Sequence, residues 1–288
     1  MNRDPLAARF VTDDLPRFWA AFEMLDAPDA EAVFERDYLR PGTPGLRSFV
    51  PEQIGSAAAL VETLRAKHRY YASLRTQMDT LPDVLGRTYA AFQTFAALYP
   101  PAVFPDTTFV VGRLNCRGTS TEAGLVVGLE IFTRGPESPV TELNSWERAV
   151  TGGPERLPHL IAHELIHAQQ APPRQETLLA QALREGAATF LEERISGGLF
   201  VGVDLAYGRE HETELWRAFR AEMHGTDLGG WLYQGDRAAK PDLGYFIGTQ
   251  ICRAYAARRP DERAAVRGIV EDAVRDPARF LEESGYDG

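Results

Sequence analysis

The stretch His163-Glu164-Leu165-Ile166-His167 decides how this chain is read. It has the form H-E-x-x-H, in which each fixed residue has a physical task. On an α-helix, residues four apart lie one turn apart on the same face. Two imidazoles so placed can reach one Zn²⁺ at about 2.0–2.1 Å. Glu164 leans toward the same space, where it can accept a proton from a water activated by the ion. The flanking sequence predicts a helix over residues 157–170. Pro158 suits a first helical position, Gly152-Gly153-Pro154 reads as loop, and Pro172-Pro173 cannot continue the helix. Leu157, Leu160, Ile161, Leu165 and Ile166 make the segment mostly apolar. On such a buried helix two His and a Glu are costly unless something satisfies them, and a metal does. The competing reading is a core helix whose imidazoles only hydrogen-bond.

His159 extends the series to i, i+4, i+8, but the outer two rise about 12 Å apart along the axis. Three such side chains cannot converge tetrahedrally, so His159 is expected to support the site or the fold rather than ligate. A catalytic zinc usually takes three protein ligands and keeps one position open. The metzincin pattern would need Gly and His where Gln170 and Pro173 stand, which excludes that class. The next predicted helix, from about Glu176 to Ser196 with Gly197-Gly198 as its stop, carries Glu185-Gly186-Ala187-Ala188 in its middle. Gly inside a helix costs about 1 kcal/mol relative to Ala, which the close approach of another backbone could offset. Glu185 is therefore the expected third ligand, with Glu176 and Asp204 as alternatives. Glu192, seven residues on, reads either as a carboxylate supporting a ligating His or, like Glu193, as a solvated one.

His163–His167 followed by Glu185-Gly186 resembles the gluzincin arrangement of thermolysin-like peptidases and aminopeptidases. In those enzymes two His and a downstream Glu hold the metal and the motif Glu is the base. The spacing here is one or two residues shorter than theirs. A closer resemblance is to a bacterial family of predicted zinc-dependent proteases. It rests on Phe10-Val11-Thr12-Asp13-Asp14-Leu15-Pro16-Arg17-Phe18-Trp19, Tyr70-Tyr71-Ala72-Ser73-Leu74-Arg75, residues 163–170, residues 183–190 and Gly244-Tyr245-Phe246-Ile247-Gly248. The resemblance implies a zincin-like core and metal chemistry and says little about substrate. Many hydrolytic zinc sites add a donor for the developing oxyanion. Tyr245, which matches the resembled family, is the expected one, with His211, His224, Tyr207 and Tyr233 behind it. His224-Gly225-Thr226-Asp227 is similar to an aspzincin element, which makes Asp227 a further, weaker metal-ligand candidate.

Thr107–Leu114 and Leu125–Phe132 are rich in β-branched and aromatic residues and read as strands. The polar link between them suggests an antiparallel pair. In gluzincins an edge strand above the zinc binds the substrate backbone, so by resemblance one of these two could do so; a purely supporting sheet is the other reading. Around them the chain reads as helical. Asp14 is a plausible N-cap for the first helix, Pro51–Met78 has a long helical pattern, and Leu81–Leu98 makes another helix before Tyr99-Pro100-Pro101. Further helices fall near 210–224, 245–258, 261–275 and 277–284. The expected fold is α+β and mainly helical: a zincin-like core with a small antiparallel or mixed sheet and an H-E-x-x-H helix. Pro100-Pro101 is the expected seam between an N-terminal helical region, 1–100, and a catalytic region, 101–288, packed as one compact unit.

The 288 residues are 44% hydrophobic and 25% charged, ordinary for a globular protein. A net charge of −10 and a pI near 5.2 argue against nucleic acid as partner. No apolar run is long enough to span a membrane. Cys116 and Cys252, the only cysteines, lack metal spacing and read as buried thiols, with a disulfide open to an exported protein. The N-terminal residues lack the apolar core of a signal peptide, so the chain as it stands is expected to be cytoplasmic, or exported if a signal was trimmed from it. The expected function is that of a zinc metallopeptidase acting on a peptide or protein. The alternatives are a non-catalytic zinc-containing binding protein on a peptidase fold and a zinc hydrolase of a non-peptide amide.

Overall fold

The structure, a computed structural model, describes residues 2–199, 205–233 and 242–288. These residues are mainly helical with one mixed four-stranded sheet, an α+β fold. The chain forms two compact units: Met1–Ala90 with Val103–Leu165, and Ala91–Ala102 with Ile166–Gly288. The division does not fall at Pro100-Pro101. Residues 91–102 belong to the second unit, where the Tyr99 hydroxyl donates to Glu271 at 3.0 Å. The other crossing lies within the motif helix, between Leu165 and Ile166.

In the first unit the strands are β1 (Phe10–Val11), β2 (Thr107–Val110), β3 (Gly118–Thr121) and β4 (Gly124–Gly128), in the order β1-β2-β4-β3. β2 pairs with β1 and with β4 in parallel, and only β3–β4 is antiparallel. The expected antiparallel pairing of the two apolar strands is thus corrected. Their polar link contains β3, which reverses the chain beyond the far side of β4 and so leaves β2 and β4 running the same way. Both are buried throughout, as parallel interior strands are. The second predicted strand is also too long. After Gly128 the chain turns into the short helix Leu129–Phe132, which carries Glu130 inward. Its fully buried carboxylate accepts the N–H of Gly112 at 2.9 Å and of Leu114 at 3.2 Å. Burial pushes this carboxyl up to about 7, against the lowering effect of those amides.

Two buried tyrosines fix the chain between β2 and β3, and a third holds the short helix after β4. Tyr38 donates to the Val111 carbonyl (2.8 Å) and accepts the Val111 N–H (3.0 Å). Tyr71 donates to the Gly112 carbonyl (2.9 Å) and Tyr70 to that of Glu130 (2.7 Å). Asp14 is not an N-cap. It is the first residue of the helix Asp14–Phe22, fully buried, and it accepts the Thr43 N–H at 3.0 Å and Arg17 at 2.8 Å. The long helical pattern over 51–78 is broken. Gly55, at φ 77°, ends one turn, and the helices Ala57–Ala66, His68–Ser73 and Arg75–Met78 follow.

In the second unit the helix Leu178–Ser196 starts at the Thr177 cap, whose hydroxyl accepts the Ala180 N–H, and stops at Gly197 in the left-handed conformation. It packs along the helix Leu243–Ala257, with Glu262–Arg275 and Pro277–Ser284 beside them. Among the described residues no helix is long and apolar enough to cross a membrane.

Candidate metal centre

The motif helix runs Leu157–His167, with Leu157, Leu160, Ile161, Leu165 and Ile166 all fully buried. His163 and Glu164 are buried on it, and its last residue is His167. Glu185, 6% exposed, comes from the following long helix. The ligand atoms of His163, His167 and Glu185 all lie within 4.8 Å of one another. They form the one such group of three or more His, Cys, Asp or Glu among the described residues. His167 Nε2 stands 3.2 Å from Glu185 Oε2. Two tetrahedral zinc ligands, each about 2.0–2.1 Å from the ion, lie about 3.3–3.4 Å apart. The imidazole–carboxylate spacing and the His₂Glu donor set therefore both fit a zinc ion.

Two further side chains grip this group. The Tyr233 hydroxyl donates to Glu185 Oε1 at 2.7 Å, which leaves Oε2 facing His167. Tyr233 itself sits in the left-handed region at φ 59°. Burial, reinforced by the Glu185 carboxylate, holds its hydroxyl well above the usual tyrosine range. Gln170 places its side-chain oxygen 2.8 Å from His167 Nδ1 and donates its Nε2 to the Arg184 carbonyl at 3.0 Å. Sequence reasoning assigned Gln170 nothing. The available signal was a Gln three residues past the second His, a spacing that brings residues together at a helix end.

Gly186, beside Glu185, admits the close backbone approach its cost implied. The approaching chain is the helix Leu243–Ala257: a Cβ on Gly186 would overlap the backbone of Gly248 and Thr249. Glu192 is 1% exposed, so the solvated reading does not hold for it. Glu193 is exposed and pairs with Arg253 at 2.9 Å.

Glu164 lies against β3. A Cβ on Gly118 would stand 3.5 Å from Glu164 Cγ and 3.2 Å from Leu160 Cδ2. Nearby Cys116 is a half-buried free thiol, pushed up to about 12 by burial with the Glu164 and Glu130 carboxylates adding. Cys252 is free and buried. The two apolar strands β2 and β4 are interior, so neither can offer an edge; the outer strand on the β4 side is β3. Tyr245 is half-buried and meets Tyr233 edge-on, ring centroids 6.3 Å apart. Tyr233, the weaker sequence candidate, places its hydroxyl on Glu185. His159 is half-buried, its pKa lowered by burial and by Arg87, and lies outside the three-residue group. His211 stacks on Tyr207, ring centroids 4.0 Å apart. Asp227 caps a local turn at the Gly229 N–H, and His224 and Glu176 are exposed. Asp204 lies outside the described residues. Comparison with family models, with curated proteins and with solved structures returns no match for this chain.

Proposed function

We propose that this chain is a zinc-dependent metallopeptidase of gluzincin type, built on a zincin-like core. The observation that carries the reading is the convergence of His163, His167 and Glu185, with Glu164 beside the first of them on the same helix. Those three residues would hold the ion, and zinc bound there supplies Lewis acidity that polarises a carbonyl and makes water acidic. Glu164 accepts the proton of the attacking water and returns it to the leaving amide nitrogen. Its placement against Gly118 puts this base next to β3, whose backbone outside the β4 pairing can take an extended peptide as an added strand. Tyr245 would stabilise the oxyanion, and Tyr233 occupies one Glu185 oxygen, which leaves the other facing His167. The substrate class is peptide or protein.

Glu164→Gln tests the assignment. The variant keeps the shape of the site but cannot take a proton, so turnover of a peptide library should fall by at least about 10²-fold while zinc stays bound. Turnover that survives with zinc in place excludes Glu164 as the base.

A further inference from the structure

We propose that Gln170 is a positioning residue that sets the tautomer of His167 and so turns its Nε2 lone pair toward the metal position. This rests on the metal-site reading above and deepens it. The argument starts from the Arg184 carbonyl, which can only accept a hydrogen bond. The Gln170 amide group 3.0 Å from it must therefore be the NH₂, which leaves the amide oxygen facing His167 Nδ1 at 2.8 Å. An amide oxygen carries lone pairs only, so the proton in that contact belongs to Nδ1. A neutral imidazole protonated at Nδ1 has its lone pair at Nε2.

That lone pair faces Glu185 Oε2 at 3.2 Å, also an acceptor when ionised. Two acceptors so close repel unless a cation lies between them. By holding the proton on the far nitrogen, Gln170 makes the pair a cation-sharing couple rather than a hydrogen bond. The same side chain also sets the spacing. Gln170 follows the end of the motif helix, where its N–H returns to the His167 carbonyl at 3.2 Å, and Arg184 immediately precedes Glu185. One buried amide thus ties the second imidazole to the helical turn that carries the third ligand.

The test uses the full chain, ¹⁵N-labelled and metal-free. Long-range ¹H–¹⁵N spectra report which ring nitrogen of each histidine carries the proton, and His167→Gln identifies the signal. The proposal expects His167 Nδ1 to carry a proton, whether or not Nε2 carries one as well. Gln170→Leu should move the population toward Nε2–H and weaken zinc binding, read by competition with a chelator, by about 10–100-fold. Gln170→Glu keeps the acceptor for Nδ1 but loses the donor to the Arg184 carbonyl, so it should still show the proton on Nδ1. An Nε2–H tautomer in the wild type overturns the proposal, and this needs no variant to fold. So does a folded Gln170→Leu that binds zinc as tightly as wild type, since a merely structural role would lower the melting temperature and leave metal affinity unmoved. Nδ1–H in a wild type that takes up no zinc would instead sink the metallopeptidase reading and leave the tautomer assignment standing.

Discussion

Gly248→Ala is expected to destabilise the protein although it replaces a helix-breaking residue with the best helix former. A Cβ at position 248 would overlap the Ala182 carbonyl oxygen and stand 2.7 Å from its carbon and 3.1 Å from Gly186 Cα. Non-bonded carbons settle at about 3.5–4.0 Å, and the oxygen is closer still, so the two helices must part by more than about 1 Å. Over-packing of a filled core costs about 1–3 kcal/mol. The upper end applies here, because the obstructing atoms are backbone and cannot rotate away. Helix propensity returns about 1 kcal/mol. The net loss is about 2 kcal/mol, read as a lower guanidinium midpoint. Gly86→Ala is the matched control: Gly86 lies exposed within the helix Leu81–Leu98, and a Cβ there meets nothing within 4 Å. That variant should gain about 0.5–1 kcal/mol. Opposite signs from one chemical change isolate the helix crossing as the cause. A Gly248→Ala protein as stable as wild type would show that the crossing is not as close as described, and the reading of Gly186 as the point where the second helix packs against the Glu185 turn would lose its support.

Tyr38→Phe should cost about 2–4 kcal/mol, since the buried Val111 N–H and C=O both lose their partner; a variant with an unchanged denaturation midpoint would refute that role. Glu130 predicts a pH signature. Its carboxyl titrates at about 7 in the fold against 4.5 as its ordinary value, so the folded state binds the extra proton between those limits. Its contribution is greatest below pH 4.5 and is lost as pH rises toward 7, by up to about 3 kcal/mol. Glu130→Gln should remove that slope, so the stability difference between variant and wild type must change across the window; a constant difference would contradict the assignment.

What the sequence made legible follows from periodicity and local stops. The motif helix and the Glu185 helix were readable because apolar residues recur at helical spacing and Pro or Gly–Gly closes each. Glu185 itself was readable from the cost of Gly186, which needed a close neighbour to justify it. The identity of that neighbour was not, because Gly248 lies in another helix and no local rule pairs the two. β3 escaped notice because Gly118–Thr121 is short and polar and lies at the outside of the sheet, where no alternation of burial is demanded. The parallel run of β2 and β4 depended on that unseen return strand. Asp14 looked like a cap because an Asp just ahead of an apolar helical run is the usual cap; its burial against Thr43 is a tertiary contact that leaves no local signal. Gln170 and Tyr233 carry roles set by tertiary hydrogen bonds, which leave no period in the chain.

The most direct test of the central claim is the zinc content and zinc affinity of the purified full chain, measured beside Glu185→Ala. A single tightly held zinc per chain, removable by chelator and lost or greatly weakened in the variant, is the expected result. A folded wild type that takes up no zinc, or a Glu185→Ala protein that binds it as tightly as wild type, would contradict the account.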